Sequence, residues 1–281
     1  MASSYFPACK AWLCFGISSL AVGGLASAAV SYPTTGGAYT QNFNTLSATG
    51  TGNAWANDST LQGWYATQTS GATSTDYTAY QAASGSANQG NLLSLGTSGS
   101  SSDRALGGQN GNTTAPTVTT MYYGLQLANA TGSTLGTFSL SYAGEQWRVV
   151  QNESRDNMVL EYQIFAAGTG SLLAASGWTD TALGFDAPII SEDPSTNLNG
   201  NSAANRVTVS GNVSGFAWAD GEELWLRWSD ASSGASAGAG ATRSMLGIDD
   251  LSFSADVVPE PSGCLLSGLG LGLLAVRRRV R

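Results

Sequence analysis

Hydrophobic and polar residues alternate in several short stretches of the central part of the chain. At residues 137–142 every second side chain is apolar, so that Phe138, Leu140 and Tyr142 share one face. This period of two is typical of β-strands, because successive side chains of an extended chain point to opposite faces. Nothing in the central part keeps a helical period over three turns. Further stretches that predict strands lie at residues 122–127, 157–165, 206–211, 222–230 and 251–256.

The stretches between these strands are rich in glycine, serine, threonine and asparagine. Three long ones, at residues 47–60, 70–90 and 230–244, consist mostly of residues that favour turns and therefore predict loops. Many short strands separated by such loops indicate two packed antiparallel sheets, which is a β-sandwich or jelly roll. Because no internal repeat or clean linker divides residues 29–256, we expect one all-β domain there.

The first 28 residues have the features of a secretory signal peptide. Lys10 precedes an apolar stretch at residues 11–25, and Ala26 and Ala28 then supply the small residues that signal peptidase accepts. The apolar stretch is shorter than the roughly 20 residues that a membrane-spanning helix needs. We therefore expect residues 1–28 to form a signal helix that directs export through the Sec translocon and is then removed by signal peptidase.

Residues 257–281 combine three features in a fixed order. Proline fixes φ and disfavours helix in the residue before it, so the first feature is an extended segment. The second is an apolar stretch that predicts a short transmembrane helix, covering about two-thirds of a bilayer core. The third is a basic cluster that stays cytoplasmic by the positive-inside rule. The features are formed respectively by Pro259, Glu260 and Pro261, by residues 263–276, and by Arg277, Arg278 and Arg279.

With these features in this order, the tail resembles the PEP-CTERM sorting signal of Gram-negative bacteria that make extracellular polysaccharide. The resemblance implies that a membrane-embedded exosortase recognises the Pro-Glu-Pro motif. The protein would be anchored transiently in the inner membrane and then delivered to the cell surface or the extracellular matrix. An ordinary anchor that contains Pro-Glu-Pro by chance is the alternative. Segments of the body also look like a jelly-roll-like β-sandwich module common in exported PEP-CTERM proteins, namely residues 43–46, 61–66, 142–148, 224–230 and 247–255.

The net charge of the chain indicates which classes of partner it can bind. The chain has 11 basic and 19 acidic residues and a formal net charge of −8. Lys10 lies in the leader and four arginines lie in the tail, whereas every acidic residue except Glu260 lies between them. The body is therefore more acidic than the whole chain. Because such a surface repels phosphate backbones, we expect no nucleic-acid partner and consider divalent cations and neutral glycans instead.

Two residue types that common catalytic sites require are missing from the body. Histidine is absent from the chain, and the cysteines Cys9, Cys14 and Cys264 all lie in the terminal segments. A Ser-His-Asp or Cys-His site, histidine-bound zinc and an internal disulfide are therefore excluded for the body. Two carboxylates suffice for glycoside hydrolysis, so a secreted hydrolase of that kind is the alternative to a non-catalytic protein.

Two segments that place arginine beside tryptophan form the candidate carbohydrate-binding site. They contribute Trp147 and Arg148, and Trp225 and Arg227, whose side chains can stack on a sugar ring or bind its polar groups. The structural alternative is that Glu145 and Arg227 form an ion pair between two strands. Four other tryptophans near loops have two interpretations, a sugar-stacking platform or a plug for the core, and these are Trp55, Trp64, Trp178 and Trp218.

Asp249 is the candidate metal ligand. Strand alternation places it on the same face as Leu251 and Phe253. A carboxylate among apolar side chains must be paired, hydrogen-bonded or bound to a metal. Calcium suits an acidic, oxygen-rich site without histidine or thiolate, so structural Ca²⁺ is the cofactor that we consider. An ion pair of Asp249 with Arg148 or Arg227 is the alternative.

Taken together, the sequence predicts an exported, exosortase-sorted protein of the cell surface or matrix. We expect it to be non-catalytic, with a structural role or an association with exopolysaccharide. Its expected partners are the Sec translocon, signal peptidase, the exosortase and exopolysaccharide, and its expected parts are a signal peptide, a β-sandwich and a sorting signal at residues 1–28, 29–256 and 257–281.

Overall fold

A computed structural model describes Met1 and residues 29–87, 90–100, 102–111, 120–150, 155–190, 195–231 and 242–257. Within these ranges the chain forms seventeen β-strands and one short 3₁₀ helix. The strands are β1 Val30–Tyr32, β2 Tyr39–Gln41, β3 Asn53–Ala54, β4 Trp64–Ser70, β5 Thr73–Asp76, β6 Ala79–Ala83, β7 Leu92–Leu95, β8 Ala105–Gly111, β9 Thr120–Asn129, β10 Leu135–Val149, β11 Asn157–Phe165, β12 Thr179–Asp180, β13 Phe185–Asp186, β14 Thr196–Asn197, β15 Arg206–Trp218, β16 Glu223–Ala231 and β17 Thr242–Asp256, and the 3₁₀ helix is Ala203–Asn205.

The strands form two sheets that pack face to face as a sandwich. Sheet A has the order β12-β11-β16-β9-β4-β5, with β1 also beside β9 and β13 also beside β11. Sheet B has the order β14-β10-β17-β8-β7-β6-β3, with β15 also beside β10 and β2 also beside β17. Strand pairs are antiparallel except β1 with β9 and β6 with β7. The predicted all-β sandwich is therefore confirmed.

The two predicted helices of the leader and the tail fall on residues outside the described ranges. Among the residues that are described, no helix has the length and apolar character needed to cross a membrane. The first strand begins at Val30 and the last ends at Asp256.

One large apolar cluster fills the space between the sheets, and the predicted alternation accounts for it. Phe138, Leu140 and Tyr142 of β10 are buried in this cluster, as are Leu224, Leu226 and Trp228 of β16. Each fully buried large apolar side chain contributes about 1.5–3 kcal/mol to folding. The centre of the cluster is aromatic: Trp64 stacks on Trp228 with ring centroids 5.8 Å apart, and Tyr142 meets Trp228 edge to face at 5.7 Å.

Tryptophans that lie near loops in the sequence belong largely to this core. Trp55, Trp64 and Trp218 are buried in it, so the interpretation as core plugs is correct for these three. Trp178 is half-buried outside the cluster. The prediction of continuous loops is wrong at residues 70–90, which contain β5 and β6, and at residues 47–60, which contain β3, while β16 and β17 reach into both ends of residues 230–244. Strands β5 and β6 are short: β5 is polar, and β6 has Tyr80 as its one large apolar residue, so neither sequence carries a clear alternation.

A β-bulge interrupts the alternation of β17. The ladder between β10 and β17 changes register next to Ala143, which pairs with Asp249, and Asp250 has a φ of 49°. The bulge inserts an extra residue, so the apolar residues before it and after it all reach the core. The prediction that Asp249 shares a face with Leu251 and Phe253 is therefore wrong, since Ile248 and those two residues pack in the same core cluster. Asp249 points instead to the outer face of sheet B.

Candidate functional site

Two tryptophans of the candidate carbohydrate site lie on the outer faces of the two sheets. In each case the indole N–H donates to the carboxylate two residues earlier: Trp147 Nε1 to Glu145 Oε2 at 2.9 Å, and Trp225 Nε1 to Glu223 Oε2 at 3.1 Å. Residues two apart on a strand lie on the same face, which explains the repeated contact. We call the groups around them the sheet A cluster (Tyr65, Tyr122, Glu161, Trp178, Glu223, Trp225 and Arg227) and the sheet B cluster (Asp103, Glu145, Trp147, Asn201, Arg206, Asp249 and Asp250).

Arg227 is the centre of the sheet A cluster. Its Nη2 and Nε donate to Glu161 Oε2 at 2.6 and 3.1 Å, and its Nη1 donates to the carbonyl oxygen of Leu172 at 2.8 Å. The guanidinium carbon lies 3.9 Å from the ring centroid of Trp178 and 5.0 Å from that of Tyr122. Glu161 and Arg227 are directly opposite each other on β11 and β16. Glu161 therefore neutralises the positive charge of Arg227 within the protein.

Trp225 itself has almost no accessible surface. Its side chain is 3 % exposed, and its ring lies 4.6 Å from that of Tyr65. Gly170 lies directly over it, since a Cβ on that glycine would stand 2.1 Å from Trp225 Nε1. A sugar can therefore reach this ring only if the segment that contains Gly170 moves away. The aromatic residues of the cluster that are half-buried rather than buried are Tyr65, Tyr122 and Trp178.

Trp147 and Arg148 occupy comparable positions on sheet B. Trp147 is 1 % exposed, and a Cβ on Gly200 would stand 2.3 Å from its Nε1. Arg148 Nη1 donates to Asn197 Oδ1 at 3.0 Å, which ties β10 to β14. The structure thus separates the four residues predicted to bind carbohydrate onto two sheets and covers both tryptophans with other parts of the chain.

Two buried carboxylates of the sheet B cluster lack the neutralising contacts found on sheet A. Glu145 is 0 % exposed and Asp249 is 1 % exposed. In the described part of the chain, Oε1 of Glu145 has no hydrogen-bond partner, and no donor meets Asp249 at full hydrogen-bonding geometry. The backbone N–H of Asp250 and the side chain of Asp103 are nevertheless close enough to the Asp249 carboxylate to affect its pKa. The nearest cation is Arg206, whose Nη2 lies 3.9 Å from Glu145 Oε1 and 3.2 Å from Asp250 Oδ2.

The alternatives that paired these acids with other arginines are wrong. The expected Glu145–Arg227 ion pair is not formed, because Glu145 lies on sheet B and Arg227 pairs with Glu161 on sheet A. Asp249 forms no ion pair with Arg148 or Arg227. In both cases the two residues lie on different strands, and their spacing in the sequence does not show which strands are neighbours in the sandwich.

Burial strongly disfavours the charged forms of both acids. It raises the pKa of Glu145 to about 7, although the hydrogen bond from Trp147 and the charge of Arg206 act in the opposite direction. It raises the pKa of Asp249 to about 9, and the negative charges of Asp250 and Glu145 add to this effect. At neutral pH, Asp249 therefore holds a proton unless a cation takes the place of that proton.

The side chains around Asp249 fit calcium in type, but no complete metal site is evident. Among the described residues there is no group of three or more histidine, cysteine, aspartate or glutamate side chains close enough to hold a metal. Asp249 and Glu145 offer two carboxylates, and Asn201 adds a buried Oδ1 without a partner. Asn201 Nδ2 donates to the carbonyl oxygen of Asp103 at 3.5 Å. Carboxylate and amide oxygens are the ligands that Ca²⁺ prefers. Calcium at Asp249 stays a prediction.

A third buried polar group has no counterpart among the sequence predictions, and it consists of Asp156, Asp230 and Arg243. Arg243 Nη1 contacts Asp156 Oδ1 at 3.1 Å, and both side chains are buried. Asp230 is also buried, and burial raises its pKa well above the usual range, with the charge of Asp156 acting in the same direction. Asp156 and Arg243 are 87 residues apart in sequence, so only the fold brings them together.

A surface cleft of about 480 Å³ lies near the start of β11. Its lining includes Arg155, Asp180 and Asp186, and both carboxylates are exposed. The processing and sorting residues lie outside the described ranges, and these are Ala26, Ala28, Pro259, Glu260, Pro261, Arg277, Arg278 and Arg279.

Comparison with known proteins adds little beyond this geometry. No protein-family model and no curated protein matches the chain. Among solved structures, a Cry1Da tryptic core variant of Bacillus thuringiensis is similar over 61% of this chain and 22% of its own length, with 5% identity and a TM-score of 0.29. The K1 cleaved adhesin domain of Lys-gingipain from Porphyromonas gingivalis W83 is similar over 79% of this chain and 99% of its own, with 13% identity and a TM-score of 0.32.

A third similar structure is the isomalto-dextranase of Arthrobacter globiformis T6 in complex with panose. The similarity covers 78% of this chain and 33% of that enzyme, with 8% identity and a TM-score of 0.31. The chain thus spans less than two-thirds of the toxin and of the dextranase. Overlaps of this quality support no argument about function.

Proposed function

We propose that this protein is exported, is sorted by an exosortase, and acts without catalysis at the cell surface or in the extracellular matrix. The observation that carries the proposal is the order of features in residues 257–281: Pro-Glu-Pro, a short apolar stretch and an arginine cluster. An apolar segment too short for a durable anchor, preceded by an extended peptide, suits temporary retention followed by cleavage.

The contacts of the body support a non-catalytic role. The charged residues of the sheet A cluster satisfy one another, as Arg227 does with Glu161. Glu223 accepts a hydrogen bond from Trp225, which is itself buried. Side chains held in this way stabilise the fold and are not free to meet a substrate.

The sorting step can be tested by measuring the intact mass of the protein from the surface fraction of an exosortase-containing host. We expect a mass that ends near Pro259–Pro261, and the full tail to remain in a strain without the exosortase. Replacing Glu260 with alanine should block the cleavage. Asp180→Ala, which alters an exposed carboxylate on β12 of sheet A, is the matched control and should be processed normally. A wild-type protein that keeps its arginines in the exosortase-containing host would refute the proposal.

We place the association with exopolysaccharide on the sheet A cluster, because Tyr65, Tyr122 and Trp178 are partly accessible there. Aromatic rings with one accessible side are suited to stacking on sugars. In a co-sedimentation assay with exopolysaccharide from the host, Trp178→Ala should reduce binding, whereas Tyr65→Phe, which keeps the ring, should not. Equal binding by the wild type and Trp178→Ala would contradict this placement.

A secreted hydrolase is the second candidate, and the cleft lined by Asp180 and Asp186 is the observation in its favour. The same polysaccharide assay separates the two functions when released sugar is measured. Bound polymer without released sugar agrees with the non-catalytic proposal. Release of sugar that stops in Asp180→Asn and Asp186→Asn variants would favour the hydrolase.

We also propose structural calcium at Asp249, held with the help of Glu145 and Asn201. A ligand that binds only the folded state stabilises it by about 2.7 kcal/mol at a concentration 100 times its Kd. Added Ca²⁺ should therefore raise the Tm of the wild type and leave that of Asp249→Asn unchanged. Asp180→Asn, which alters an exposed carboxylate elsewhere, is the control and should respond like the wild type. A Tm that chelation does not change would exclude the site.

A further inference from the structure

Strand β15 forms an open edge of sheet B. It has 13 residues, and its backbone ladder joins it only to β10. Within the described ranges, residues 207–217 make no backbone–backbone hydrogen bond outside that ladder. The terminal strands β3, β5 and β12 have 2, 4 and 2 residues. The free edge of β15 therefore presents a much longer row of N–H and C=O groups to solvent than these strands do.

This edge lacks the features that usually prevent one sheet from pairing with another. Natural sheets protect their edges with charged side chains, proline or very short strands. Residues 207–218 contain no charged residue and no proline. The solvent-facing side chains are small and polar, and they include Ser210, Asn212 and Ser214. A bulge at Gly215, whose φ is 88°, ends the regular section of the strand. The regular part of the edge is thus open to an added strand.

We propose that β15 pairs in antiparallel fashion with β15 of a second copy of this chain. Residues 29–256 contain 6 arginines and 18 acidic residues, so two copies repel each other wherever their acidic residues meet, and the uncharged edge is where they approach at the lowest electrostatic cost. Pairing about Gly211 places Val209 opposite Val213 of the second copy on the inner side. On the outer side it places Ser210 opposite Asn212 of the second copy. Apolar side chains thus meet apolar ones, and polar side chains meet polar ones.

This contact between two copies goes beyond the proposed function, and the area that it buries predicts how tightly the copies bind. One strand pair buries less than the roughly 1,200 Å² typical of stable complexes, so the dimer should form in a concentration-dependent way. A shallow trough of about 370 Å³ runs across the outer face beside the edge, and its lining includes Ser139, Ser210, Asn212 and Ser254. Pairing joins the troughs of the two copies into one polar surface across the two-fold axis.

Reciprocal charge variants at Ser210 and Asn212 test the proposal. Sedimentation of the protein as its host produces it should reveal a dimer that increases with concentration. The double variant S210K/N212K brings lysines opposite each other in two places and should raise the dimer Kd at least about tenfold. The double variant S210D/N212D should do the same. An equal mixture of the two should recover a dimer, because each lysine then faces an aspartate.

Ser139→Lys is the matched control. It adds a charge to an exposed serine on the same face, but on β10, the strand next to the edge. This variant should dimerise like the wild type. The Tm of every variant establishes that the fold is retained. A wild type that stays monomeric at all concentrations would overturn the proposal. So would charge variants that dimerise as well as the wild type, or a mixture that fails to recover the dimer.

Discussion

The two outer-face clusters begin from the same local contact and end in opposite electrostatic states. Trp225 on sheet A and Trp147 on sheet B each donate to a glutamate two residues earlier, and a glycine covers each ring. On sheet A the next strand brings Glu161 opposite Arg227, so the charges cancel at contact distance. On sheet B, β17 places Asp249 opposite Ala143 of β10. The buried Glu145 therefore has a second acid as its neighbour, whereas a cation would be needed to neutralise it.

The shared Glu-x-Trp motif therefore does not determine the chemistry of its surroundings. A Glu-x-Trp segment fixes only the indole–carboxylate hydrogen bond, because that contact lies within one strand. The cross-strand neighbour decides whether the site is neutral or holds excess negative charge, and that neighbour depends on register. The Glu161–Arg227 pair of the sheet A cluster is therefore neutral within the fold, whereas burial favours the protonated forms of the sheet B acids.

The largest expected effect is on the pH dependence of stability at the sheet B cluster. Burial raises the folded-state pKa of Glu145 to about 7 and that of Asp249 to about 9, above the 4.5 and 3.8 of the unfolded chain. The folded state then binds more protons than the unfolded state. Their contribution to stability is fully present below about pH 4 and is lost as the pH rises through 7 and 9.

Urea denaturation in the presence of a chelator measures this effect. The free energy of unfolding should fall by several kcal/mol between pH 4 and pH 9, because a tenfold change in proton affinity corresponds to about 1.4 kcal/mol. Asp249→Asn should remove much of the slope and be more stable than the wild type at pH 8. Glu161→Gln on sheet A should leave the slope unchanged. A wild type whose stability rises over this pH range would contradict the assignment.

A smaller effect is expected when the cation of the sheet A cluster is removed. Arg227→Ala leaves Glu161 and the carbonyl oxygen of Leu172 without their donor and removes the contacts with two aromatic rings. Because the pair is partly exposed, with side-chain accessibilities of 12 % and 22 %, we expect a loss of about 2–3 kcal/mol, below that of a fully buried pair. Chemical denaturation at pH 7 measures this loss in the free energy of unfolding. A loss below 1 kcal/mol would show that the contacts of Arg227 contribute little to stability.

The smallest effect should come from Arg206, the only arginine near the sheet B acids in the described part of the chain. Its side chain is 26 % exposed and lies 3.9 Å from Glu145. We therefore expect Arg206→Ala to cost at most about 1 kcal/mol at pH 7, as for other exposed ion pairs. If Arg206→Ala destabilises the protein as much as Arg227→Ala does, the contrast between the clusters disappears.

Much of the fold could be predicted from the alternation of side chains. The stretch at residues 137–142 lies in β10, and its three predicted core residues are buried. The site could be predicted only in part. The pairing of Arg227 with Glu161, 66 residues away, depends on strand order, which alternation does not encode. The bulge at Asp250 places Asp249 on the opposite face of the sheet from the one predicted. Nothing in the Asp249–Asp250 sequence indicates that Asp250 adopts a φ of 49°.

The position of β17 has a mechanical consequence that bears on the proposal that the chain is held at residues 257–281. This strand is 15 residues long, lies between β10 and β8, and leads directly into the segment that begins at Val257. A pull on that segment acts along the strand and loads the ladders to its neighbours in parallel. Bonds loaded in shear must break together, whereas a terminal strand can be peeled away one bond at a time. A pull applied at Val257 therefore meets more resistance from this sandwich than it would if β17 were a terminal strand.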